Sequence, residues 1–163
     1  PKSEHRRGKV DDRPTAGVGR GRHRRRRDKK KKKILYEALT PRQQEIFNFQ
    51  KIAGLLADYG FNCIKLADDW QGADFLAYHK DRTDTLKVQL KSRLTIDRKY
   101  IGQGLWMAFP LDLRWYLIEH DTLVRLAGAL TPWLTTSSWR VKGCYHTGAP
   151  NQRFRSALRE HCL

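Results

Sequence analysis

"GADFLAYH" (residues 72–79) and "LKVQLKSR" (86–93) decide how the rest of this chain is read. In each, apolar side chains recur at alternate positions, the period of a strand with one face in a core. Between them "KDRTDT" (80–85) is rich in turn formers, so the two segments are expected to pair as a hairpin. The polar face of that hairpin is unusual. Lys87, Gln89 and Lys91 follow one another at every second position, and Asp74 alternates with Ala73 and Phe75 on the preceding strand. In a hairpin, a carboxylate, an amide and an ammonium group then converge on one side of adjacent strands.

The flanking segments place this pair inside a larger layer. "TPRQQEIFNFQKIAGLLADYG" (40–60) predicts a helix: Thr40 is the N-cap, Pro41 takes the first helical position, and Gln43 completes a capping box. Ile46, Phe49, Ala53 and Leu56, widened by Ile52, Leu55 and Tyr59, form its apolar stripe, and Gly60 supplies the stop. "FNCIKL" (61–66) reads as a strand and "ADDWQG" (67–72) as a polar turn. "LWMAFP" (105–110) and "WYLIEH" (115–120) are two further strands. "DTLVRLAGAL" (121–130) reads as a short helix capped by Asp121, and "NQRFRSALREHC" (151–162) as a last helix capped by Asn151. No segment repeats at a fixed period. The expected class is α/β: a mixed β-sheet flanked by helices.

Charge divides the chain in two. Residues 1–33 hold 16 Lys and Arg against four acids, a net of +12, whereas the other 130 residues hold 17 against 13, a net of +4. The first segment has almost no apolar side chains, so it is expected to be a disordered basic tail, with residues 34–163 forming one domain. Such an arm suits phosphate binding, each neutralised phosphate releasing counterion, and its plainer reading is a solvated tail. Cys63, Cys144 and Cys162 are odd in number and form no CxxC pair, which argues against a disulfide scaffold and for a reducing, cytoplasmic setting. No run approaches 18 apolar residues, so no membrane partner is expected, and no secretory signal is legible.

The chemistry of the two-strand face is specific. A carboxylate and an amide carbonyl are hard oxygen ligands, suited to Mg²⁺ that keeps several waters. Such an ion lowers the pKa of its bound water and offsets charge on a phosphate under attack. A neighbouring lysine can orient that water and stabilise the developing charge. The plainer reading is a cross-strand ion pair on a solvated hairpin.

"GADFLAYH" followed by "LKVQLKSR" resembles the PD-(D/E)XK nuclease superfamily, in a variant that reads Q-x-K. Similar variants occur in group I intron homing endonucleases and in uncharacterised bacterial endonuclease domains. The resemblance covers roughly residues 40–120. It implies a single restriction-endonuclease-like domain in which a helix precedes a three-stranded meander, with Asp74 matching the first acid and Lys91 the lysine. Gln89 stands where Glu or Asp is usual. The family's implied activity is metal-dependent hydrolysis of phosphodiester bonds in DNA, with Mg²⁺ or Mn²⁺ as cofactor. Asp74, Gln89 and Lys91 are then catalytic. Asp74 and Gln89 bind the metal, and Glu45 on the first helix is a further metal helper. Asp68 and Asp69 either add to the metal site or close a turn. Cutting both strands calls for two active sites, hence a homodimer or larger assembly.

Arg93, Arg98 and Lys99, with Lys87, are expected to bind nucleic acid, and Ser92 and Tyr100 lie in the same stretch. Trp106, Phe109, Trp115, Tyr116, Trp133 and Trp139 read as packing residues. "CYH" (144–146) and "HC" (161–162) match no familiar zinc spacing. "GVGRG" (17–21) follows no strand and so cradles no nucleotide. Two rivals to the nuclease remain: a catalytically inactive DNA- or RNA-binding domain of the same fold, and an RNA-associated structural protein that works through the basic arm.

Overall fold

The structure, a computed structural model, describes residues 31–81 and 84–163. The basic tail expected over residues 1–33 therefore lies, apart from Lys31 to Lys33, outside the described residues, as do Arg82 and Thr83 of the hairpin turn.

Helix α1 (Pro41–Asp58) starts as its sequence dictates. The Thr40 side chain accepts the Gln43 amide at 3.3 Å, while Gln43 Oε1 accepts the Thr40 amide at 2.9 Å. Its apolar stripe is narrower than periodicity suggested. Ile52 and Leu56 are buried, but Ile46 and Tyr59 are 40% and 53% exposed. Asn48 takes a buried place instead, its amide donating to the Tyr36 hydroxyl at 2.8 Å.

Strands β1 (Phe61–Trp70), β2 (Ala73–His79) and β3 (Thr85–Leu90) form an antiparallel meander. β1 runs four residues past the expected end. The segment read as a turn continues the strand to Trp70, which pairs with Ala73 after a register shift beyond Lys65. Only Gln71 and Gly72 make the turn, both with positive φ (53° and 84°), the backbone a two-residue hairpin requires. Asp68 and Asp69 are therefore on an irregular strand and not in a turn, because the Gln-Gly pair reverses the chain more tightly than Asp-rich loops do.

β4 (Leu94–Asp97) and a 3-10 turn (Arg98–Tyr100) cross to β5 (Leu105–Leu111), which lies parallel to β3 and pairs with β6 (Arg114–Glu119). The five-stranded sheet has the order β1-β2-β3-β5-β6. α2 (His120–Leu130) follows without an Asp121 cap. Residue 119 is the N-cap, and the Asp121 carboxylate instead accepts the Gly102 amide at 3.1 Å. β7 (Cys144–Thr147) pairs with β4 in a second, two-stranded sheet, and α3 (Gln152–Ala157) is capped by Asn151 as expected.

On one face of the large sheet, Ile52 and Leu56 of α1 cover Phe75, Ala77, Val88, Ala108 and Leu117. On the other, Met107, Phe109 and Ile118 meet Leu94, Ile96, Leu123, Trp133, Phe154 and Leu158. Each fully buried large side chain of this kind stabilises the fold by about 1.5–3 kcal/mol. Helix, meander and parallel crossover together make the expected α/β class, a mixed sheet flanked by helices. Among the described residues no helix is long and apolar enough to cross a membrane.

Candidate active site

The β2–β3 ladder runs from Tyr78 opposite Thr85 to Phe75 opposite Val88. One step further stand Asp74 and Gln89, and there the strands part. The Lys91 amide bonds to Ala108 O of β5 at 2.9 Å, so β3 leans on its other neighbour. The Leu90 amide finds the Asp74 carboxylate, 2.7 Å from Oδ2. Gln89 Nε2 donates to the same oxygen.

The other end of the Gln89 amide is also engaged. Its Oε1 accepts the Tyr100 hydroxyl at 3.0 Å, and Lys91 Nζ stands 3.4 Å from that hydroxyl. Gln89 and Tyr100 are 5% and 3% exposed. Chemistry fixes the orientation: a carboxylate only accepts, so the amide turns its NH₂ to Asp74 and its carbonyl to the hydroxyl.

Asp74, Gln89 and Lys91 are thus brought together, joined through Tyr100. Lys91 is not on the strand as periodicity had it, since β3 ends at Leu90. Tyr100 lies in the stretch expected to bind phosphate, but it is a buried link between the crossover and the hairpin. Its position beside Lys99 in a basic stretch hid that role. Lys65 was overlooked altogether. Its amine pairs with Glu45 Oε1 at 2.5 Å, and nothing in "FNCIKL" marks it out until α1 is in place.

Glu45 lies near Asp74 but is already held. Arg42 takes its second oxygen at 2.7 Å, and the Lys65 amine, then the Arg42 guanidinium, hold its carboxyl below the usual range. Asp74 moves the other way. Burial pushes its carboxyl up, against the Leu90 amide and Lys91, with Asp69 and Glu45 adding to the rise. Asp74, Glu45 and Lys65 border two adjoining clefts of about 350 and 400 Å³, the first also lined by Gln89 and Lys91.

The other expected contacts separate. Arg93 and Lys99 are exposed. Lys99 Nζ lies 4.8 Å from the Tyr100 ring centroid, and Tyr100 raises its pKa. Arg98 donates to Trp139 O at 2.8 Å and lies over the Trp139 ring, so it packs the second sheet. Lys87 donates to Gln103 O at 2.7 Å and to Gln71 Oε1 at 3.3 Å, tying the crossover to the hairpin turn.

Among the described residues, no three His, Cys, Asp or Glu side chains gather closely enough to cage a metal ion. The donors fit a hydrated cation better than a dehydrated one: one half-buried carboxylate, with the charges of Asp69 and Glu45 nearby.

The arrangement of α1, the antiparallel meander, an acid on its middle strand and Gln-x-Lys leaving its last strand is the one that the PD-(D/E)XK resemblance implies. No family model matches the chain, and no curated protein does. Among solved structures it is similar to Hjc, a Holliday junction resolvase of the archaeal hyperthermophile Archaeoglobus fulgidus. The two are 16% identical over 47% of this chain and 76% of that one, with a TM-score of 0.35. It is also similar to a bacterial homing endonuclease, I-Ssp6803I: 11% identical over 75% of this chain and 94% of that one, TM-score 0.42.

Proposed function

We propose that this chain is a metal-dependent DNA endonuclease that hydrolyses phosphodiester bonds in the cleft beside Asp74. The observation that carries the reading is the half-buried Asp74 carboxylate, oriented by Leu90 and Gln89, with the Lys91 amine bordering the same cleft. Surface ion pairs need no such orientation.

Asp74 would hold a Mg²⁺ or Mn²⁺ ion directly, with Glu45 acting through water because Arg42 and Lys65 occupy its oxygens. Such an ion supplies an acidified water and offsets phosphate charge. Gln89 orients the Asp74 carboxylate; its carbonyl, turned to Tyr100, is not presented as a ligand. Lys91 orients the attacking water and meets charge developing on the phosphate. Arg93 and Lys99 hold the DNA backbone, and the basic arm over residues 1–33 extends that grip from the catalytic domain over 34–163. Two copies acting together would cut both strands.

Wild type, Asp74→Ala and Lys91→Ala are compared on supercoiled plasmid with Mg²⁺ or Mn²⁺. Nicking by wild type that falls at least about 100-fold in both variants is the expected result. Salt-sensitive DNA binding without nicking by any of the three would replace the enzyme with an inactive binding domain.

A further inference from the structure

We infer that Tyr100 is a positioning residue whose hydroxyl fixes the Gln89 amide so that it donates to the Asp74 carboxylate. This inference rests on the nuclease reading of the cleft and deepens it. An amide has two faces of opposite character, and rotating it by half a turn exchanges them. Turned the other way, Gln89 would aim its carbonyl oxygen at Asp74 Oδ2, setting two acceptors against each other. Gln89 and Tyr100 are 5% and 3% exposed, so there is little access for solvent to rescue that arrangement. The hydroxyl reinforces the orientation that Asp74 demands: with the Lys91 amine 3.4 Å from its oxygen, its proton is left for Oε1 at 3.0 Å.

The donors then run in one direction: Lys91 to the Tyr100 oxygen, Tyr100 to Gln89, Gln89 to Asp74. Each bond polarises the next, so the ammonium charge is felt at the carboxylate through two neutral groups. A glutamate at position 89 would offer only acceptors to Asp74, whereas glutamine with a tyrosine behind it supplies a donor. Tyr100 itself is held from two sides. Its ring meets His120 edge-on, with centroids 5.6 Å apart. It also lies so close to Gly72 that a Cβ there would stand 3.1 Å from the ring, with Leu105 at 2.8 Å. The hydroxyl is therefore registered against both the start of α2 and the turn that leads into Asp74.

The test uses the full-length protein, with Tyr100→Phe, Gln89→Met and the double variant. In metal-free wild type, the Gln89 side-chain NH₂ is expected to exchange with solvent at least ten-fold more slowly than exposed glutamines, read by ¹H–¹⁵N NMR. Tyr100→Phe should bring it to the exposed rate. With Mg²⁺ and plasmid, Tyr100→Phe should lower kcat about ten-fold at unchanged KM, and should lower it no further in the Gln89→Met background. Exposed-like exchange in wild type overturns the inference even if Tyr100→Phe fails to fold. An unchanged amide spectrum and kcat in Tyr100→Phe, or a full additional loss in the double variant, overturns it while leaving a cutting wild type as a nuclease. Protected exchange that Tyr100→Phe abolishes, in a wild type that never cuts, removes the nuclease reading and retains the positioning.

Discussion

Asp74 Oδ2 accepts the Leu90 backbone amide at 2.7 Å, one step beyond the last Phe75–Val88 pair of the β2–β3 ladder. A side chain thus replaces the strand partner that β3 loses where the sheet splits. The carboxylate serves both the fold and the cleft, and substitutions can separate the two duties.

Asp74→Asn keeps an oxygen for the Leu90 amide, whereas Asp74→Ala leaves that amide and the Gln89 NH₂ without it. Removing one partner of a sequestered hydrogen bond costs about 1–3 kcal/mol. Urea denaturation should therefore show Asp74→Ala less stable than Asp74→Asn by about that amount. Both variants should lose cleavage equally, since neither retains the charge. Equal stability of the two would show that the Leu90 contact contributes little.

The β5–β6 hairpin carries a correctable strain. Asp112 and Leu113 form its two-residue turn with φ of 51° and 64°, the left-handed region that suits glycine. Leu113 is fully exposed, so its side chain adds nothing to the core. Asp112 pairs with Arg155 and should stay. Leu113→Gly is expected to raise unfolding free energy by about 1 kcal/mol with cleavage unchanged, measured by denaturant midpoint. A loss of stability would mean that unfolded-chain entropy outweighs the relief of strain.

His120 makes stability depend on pH. It is buried, its Nε2 accepts the Asp97 amide at 3.2 Å, and Nδ1 therefore carries the proton. Asp121 Oδ1 is 3.6 Å from Nδ1, too far for a hydrogen bond, and the Tyr100 ring meets the imidazole edge-on. Burial holds the imidazole pKa below 6.5, against the pull of Asp121 and Asp97. A depressed pKa in the fold means stability that is complete above the unfolded value and lost as pH falls through the folded one. Unfolding free energy should decline from about pH 6.5 downward, and His120→Gln should flatten that decline. The same slope in the variant would assign the acid sensitivity elsewhere.

Local signals were sufficient for α1, β2 and the Asn151 cap, because capping side chains and alternation act within a few residues. They failed for β4 and β7, four-residue strands too short to show a period, which exist because Leu94 and Ile96 pack under α2 and Trp133. They failed also at Ala67–Trp70, where Asp-Asp suggested a turn and pairing with Ala73 overrode it. The convergence of Asp74 with Gln89 was legible from strand period and a hairpin. The Tyr100 link was not, since it joins residues 11 apart through a crossover whose path no periodicity encodes.

The basic residues after β3 should divide by what they already hold. Arg93 and Lys99 are exposed beyond the cleft, so each, changed to Ala, should weaken DNA binding alike across sequences. Each should also reduce the slope of log affinity against log salt by about 0.9, with unfolding unaffected. Arg98 should behave otherwise. Its guanidinium donates to Trp139 O and covers the indole, and its backbone N–H donates to Gly143 O at 2.7 Å, so the residue ties the end of β4 to the 138–142 turn. Arg98→Ala should lower the unfolding midpoint by about 1–3 kcal/mol in free energy and change the salt slope less than Lys99→Ala does. Fluorescence anisotropy on one duplex across a salt series, beside urea denaturation, measures both. An Arg98→Ala protein of full stability with a salt slope reduced by about 0.9 would return Arg98 to the DNA interface.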